Sequence, residues 1–124
     1  MIKEPQLIYD KIKSKLISHV PPLTCRVDKA DVLEVAGTKP GMQGKQKVDG
    51  YYFATIMLKP KDARFYFFPI YTHKDDFNDI SEDLKKFLKG KSCFHIKKLD
   101  NTLEKELDEL IDKGVALYQK DNLI

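Results

Sequence analysis

The chain has 124 residues, of which 42% are hydrophobic and 33% charged, with a net charge of +3 and only two cysteines. That length closes one hydrophobic core without disulfide or metal staples, so a single domain over residues 1–124 is expected, and two cysteines exclude a secreted disulfide framework. No run approaches the roughly 18 apolar residues of a membrane span and no apolar leader core opens the chain, which predicts a cytoplasmic protein with no membrane role.

Of the 22 basic residues only Arg26 and Arg64 are arginine, the type favoured for bidentate phosphate and base recognition, so dedicated nucleic-acid readout is not expected. Over residues 6–20 the apolar side chains Leu7, Ile8, Ile12, Leu16 and Ile17 recur at the spacing of a helix with one buried stripe. Lys3, Lys11, Lys13 and Lys15 fill its other side, and Pro21 and Pro22 stop it. Residues 24–27 and 32–36 read as short strands, and 37–49 as a long exposed loop or ragged hairpin tip. Residues 51–58 alternate as a firm strand, with Tyr52, Ala54, Ile56 and Leu58 on one face and Tyr51, Phe53, Thr55 and Met57 on the other.

A turn at 59–62 joins that strand to residues 64–72, where five of nine residues are Phe or Tyr. Alternation sends Phe65, Phe67 and Tyr71 one way and Tyr66, Phe68 and Ile70 the other, while Pro69 should end or bulge the regular pairing. Ile80, Leu84, Phe87 and Leu88 predict a short helix closed by Gly90. Residues 92–97 alternate as a last strand, with Phe94 and Ile96 inward and Cys93, His95 and Lys97 opposite. The final helix carries Leu103, Leu107, Leu110, Ile111, Leu117 and Tyr118 as its stripe, with a capping box of Asn101 and Glu104 at its start and Gly114 as a close packing contact. Strands joined by short turns favour an antiparallel sheet, so the expected fold is α+β: about five antiparallel strands packed against N- and C-terminal helices as a two-layer sandwich, with a short helix before the last strand.

Phe67, Phe68, Pro69, Ile70, Tyr71 and Thr72, together with the run of residues 88–100 that contains Gly90, Lys91, Ser92, Cys93, Phe94 and His95, resemble the YdhG-like family of bacterial domains of unknown function. The resemblance extends over nearly the whole length and includes the first helix with its ending Val20, Pro21, Pro22 and Leu23. It implies an α+β antiparallel-sheet fold in a small cytoplasmic protein and carries no catalytic residue across. The wider family is similar in shape to frataxins, iron carriers that bind metal through an acidic ridge on the first helix; here that helix carries more lysine than acid.

Tyr51, Phe53, Tyr66, Tyr71 and His95, with Lys97 on the His95 face, are candidates to line one concavity. That concavity would be a small-molecule groove, a homodimer face, or a surface covered by residues 37–49. His73, Asp75, Asp76 and Asp79 form a second cluster able to hold a hard cation, or else simply precede a helix whose N-terminus favours negative charge. Cys93 and His95 share a strand face, with two residues spanning roughly 6.6 Å, but a nucleophile needs a base held by a third group, and both cysteines read most simply as buried thiols. Gly90, Lys91 and Ser92 run from helix to strand, opposite to a phosphate-binding loop. The expectation is therefore a non-enzymatic binding or interaction module that uses an aromatic sheet face and needs no cofactor. The alternative is a frataxin-like carrier of iron or another metal, and the third reading is an enzyme without a recognised motif.

Overall fold

Pro5 sets the first turn of helix α1 (Pro5–Ile17), and Ile8, Tyr9, Ile12 and Leu16 form its buried stripe. The helix ends three residues short of residue 20, and Leu7 and Ile17 lie outside the stripe, 45% and 43% exposed. The computed structural model describes residues 1–43 and 45–124. Strands β1 (Thr24–Lys29), β2 (Val32–Ala36), β5 (Tyr52–Leu58), β6 (Ala63–Phe67), β7 (Leu88–Lys89) and β8 (Cys93–Ile96) make a six-stranded antiparallel sheet in the order β1-β2-β5-β6-β8-β7. Strands β3 (Gly41–Gln43) and β4 (Gln46–Val48) pair as a separate hairpin within the segment read as a loop or hairpin tip.

Between β6 and β7 the chain makes short helices α2 (Pro69–Thr72) and α3 (Glu82–Lys85), with a 3-10 turn at Lys74–Phe77 between them. Pro69 ends the aromatic strand as its missing N–H dictates, so Ile70 and Tyr71 belong to a helical turn and not to a strand face. The helix expected over residues 80–88 is confined to four residues. Leu88 turns instead through Gly90, at φ +74°, into a two-residue pairing with β8. The added strand β7 raises the expected five strands of the sheet to six.

Helix α4 (Asn101–Lys120) closes the layer. Its cap is Asp100 and not Asn101: the Asp100 carboxylate accepts from the Leu103 N–H at 2.8 Å, leaving Asn101 as the first helical residue. Helices α1 and α4 lie side by side on one sheet face, tied by Lys11 to Glu104 at 3.0 Å and by Lys15 and His19 to Asp112 at 2.8 Å each. Beneath them Leu33, Ile56, Phe65 and Phe94 form one cross-strand row and Val35, Ala54 and Phe67 the next, all fully buried. Among the described residues no buried side-chain nitrogen or oxygen lacks a hydrogen-bond partner.

Candidate functional site

The faces of β5 follow from one irregularity. Val35 pairs with Ala54 and Ala36 with Tyr52, so Phe53 is an extra residue with no partner on β2, a β-bulge. The bulge turns Phe53 toward the helices, where it is fully buried against Phe67 and Tyr118 at ring distances of 5.6 and 5.1 Å. It also brings Tyr52 onto the same side as Thr55, with their hydroxyls 2.5 Å apart, and burial pushes the Tyr52 hydroxyl up to about 12. The expected placing of Phe53 in an exposed groove and of Tyr52 beside Ile56 is thus reversed, because strict alternation fails across a bulge.

The sheet face away from the helices carries Glu34, Thr55, Tyr66 and Cys93 in one row and Val32, Met57, Arg64 and His95 in the next. Burial raises the Cys93 thiol, the opposite of what an activated nucleophile needs, and Tyr66 rather than His95 is its hydrogen-bond partner. Cys25, expected to be buried, is exposed on edge strand β1, and its thiol is likewise raised by partial burial. His95 turns to Asp62, with Nδ1 3.9 Å from Oδ2.

The remaining aromatic candidates separate. Tyr51 stands edge-on to Tyr118 at 5.5 Å and touches Phe68, the hub that also meets Tyr52 and Tyr71. Tyr71 is 50% exposed, and the Lys91 ammonium lies 5.3 Å over its ring. Beside Tyr71 opens a cavity of about 460 Å³ whose apolar lining is Ile70, Phe77, Ile80 and Leu88 and whose cations are Lys74, Lys85 and Lys91. Among the described residues no carboxylate lines it. Tyr71 is the sole member of the expected groove found there. Its partners escaped sequence reasoning because they come from α2, the 3-10 turn, the approach to α3 and β7, a junction with no periodic pattern; Pro69 was the available signal that the strand gives way to a fold-back.

A second, smaller cleft of about 310 Å³ lies at the other end of β8, between Lys59, Pro60, Lys61, Asp62, Arg64 and Lys97. Lys97 therefore belongs with the turn between β5 and β6 and not with the aromatics.

The expected cation cluster does not assemble. His73 engages Thr72 Oγ1 through Nδ1 at 2.8 Å and Asp121 Oδ2 through Nε2 at 2.5 Å, while Asp75 and Asp76 are exposed on the 3-10 turn and Asp79 faces Lys113 at 4.0 Å. Among the described residues no three His, Cys, Asp or Glu side chains converge as a metal site would require. Among the described residues no helix is long and apolar enough to cross a membrane.

Comparison of the chain with family models, curated proteins and solved structures finds no match.

Proposed function

We propose that this protein is a binding module for a small amphipathic anion, held in the cavity beside Tyr71. One observation carries the reading: an apolar floor of Ile70, Phe77, Ile80 and Leu88 is ringed by three lysines with no acid among the lining residues. A cavity of about 460 Å³ is within the size range of small-ligand sites, which pair apolar walls with a few placed polar groups. The floor would take a hydrocarbon or aromatic body; the ammonium groups of Lys74 and Lys91 would take its carboxylate or sulfonate. Lys85 is partly engaged by Glu82 at 3.3 Å and contributes less. The aromatic surface remains part of the reading, since Tyr71 forms the wall and Phe68 braces it from behind. The YdhG-like resemblance, which brings no catalytic residue, is compatible with a non-enzymatic module.

Calorimetric titration with decanoate and with decanol tests this. One decanoate should bind per chain, decanol should bind at least about tenfold more weakly, and Lys91→Glu should remove the preference for the acid. Equal affinity for acid and alcohol, or decanoate binding untouched by both Lys91→Glu and Ile80→Asp, would overturn the assignment.

A further inference from the structure

The cleft at the far end of β8 is built differently. Lys59, Lys61, Arg64 and Lys97 bring four positive charges to it and Asp62 one negative, so its lining sums to +3, equal to the net charge of the whole 124-residue chain. The residues outside the cleft sum to zero, although the cavity beside Tyr71 gathers three lysines of its own. The chain has 19 acidic residues, yet among the described residues Lys59, Lys61 and Lys97 form no ion pair.

Asp62 does not neutralise the cleft in a simple way. It is 5% exposed, and its Oδ1 accepts from Arg64 Nε at 3.2 Å. A buried carboxylate must be paired, and this one is paired through the Nε edge of the guanidinium, which leaves the outer Nη groups for other acceptors. His95 stands on the other side of the same carboxylate at 3.9 Å, and the Tyr66 hydroxyl interacts with Arg64 on the open face. The turn that bears the lysines is fixed as well: the Lys59 N–H donates to the Asp62 carbonyl at 2.9 Å, and Leu58 N–H to the Asp31 carbonyl at 2.8 Å. The arginine is thus held by a buried acid while three lysines stand round it, a combination suited to a multiply charged tetrahedral oxyanion.

We infer that the cleft of Lys59, Lys61, Arg64 and Lys97 binds the phosphate group of a small phosphorylated molecule, with Asp62 as the positioning residue for Arg64. This site is independent of the cavity beside Tyr71, since the two share no lining residue.

Titration of the full chain with sodium pyrophosphate at about 20 mM salt, where screening is weak, decides the matter. One pyrophosphate should bind per chain, and Arg64→Gln and Lys97→Gln should each weaken it at least about tenfold, the loss expected for one charge-assisted hydrogen bond. Lys74→Gln, in the other cavity, should change nothing here. Asp62→Asn separates positioning from simple charge: removal of a negative charge alone would tighten binding, whereas release of Arg64 weakens it, and weakening is expected, with thermal melting confirming that the variant is folded. Pyrophosphate binding unaffected by Arg64→Gln and Lys97→Gln, or tightened by Asp62→Asn, overturns the inference. A ten-nucleotide thymidine oligonucleotide serves as the last arm; if it binds more than tenfold tighter than pyrophosphate, the phosphate belongs to a nucleic acid and the small-molecule assignment fails.

Discussion

Gly114 shows what single residues decide in this core. A Cβ at that position would stand 2.7 Å from Phe67 Cζ and 3.2 Å from Phe53 Cε1, and both rings are fully buried. Replacing a mid-helix glycine by alanine should gain about 1 kcal/mol of helix propensity, but overpacking a filled core costs about 1 to 3 kcal/mol. The clash wins because it is with the rigid edge of a ring and not with the end of a flexible chain. Gly114→Ala should therefore lower stability by up to about 2 kcal/mol, read as a reduced denaturant midpoint with unchanged slope. A rise in the midpoint would show that the Phe53 and Phe67 rings can shift. The sequence pointed to this contact from a glycine inside a helical pattern; which rings it meets was hidden, because Phe53 reaches it only through the bulge.

Elements with a long regular period were the most legible. Helix α4 repeats its apolar stripe over about four turns, and α1 over about two, so each is legible to within a few residues, as is the hairpin of β5 and β6 around its Lys-Pro-Lys-Asp turn. Residues 69–89 were not legible in the same way. They hold four short pieces of two to four residues, none long enough to display a period, and a helix pattern at Ile80, Leu84, Phe87 and Leu88 is broken when Leu88 pairs with Phe94 across the sheet edge. The candidate site inherits that opacity, since its floor is drawn from those pieces. Caps are a further case, because Asp100 and Asn101 are both good capping residues and only the hydrogen bond to Leu103 distinguishes them. Asp100→Ala should cost about 1 kcal/mol of stability and Asn101→Ala under about 0.5 kcal/mol, compared by urea midpoints. Equal losses would restore Asn101 as the cap.

At the scale of the molecule, one helical layer leaves the sheet open on its other side, and the two cavities lie beyond opposite ends of β8, one taking Lys91 before the strand and one Lys97 after it. With residues 91–92 in a turn and 93–96 extended, the separation is at most roughly 20 Å, against a screening length of about 8 Å at physiological salt. At about 0.15 M salt, the condition for the comparison that follows, charge on one ligand is therefore largely screened from the other site. Decanoate affinity measured with and without saturating pyrophosphate should agree within a factor of about two, as expected for separate sites without a shared partner. Competition between the two would mean a single site. The bulge at Phe53 has a consequence of another kind. It acts as a phase slip of one residue between the two halves of β5, so positions before and after it obey opposite rules for inside and outside. A relative built on the same sheet without the bulge would have one residue fewer there, and a gapless alignment would equate its core side chains with the solvent-facing ones of this chain. Sequence similarity across that strand is then understated by the arithmetic of counting residues, even where every side chain occupies the same place.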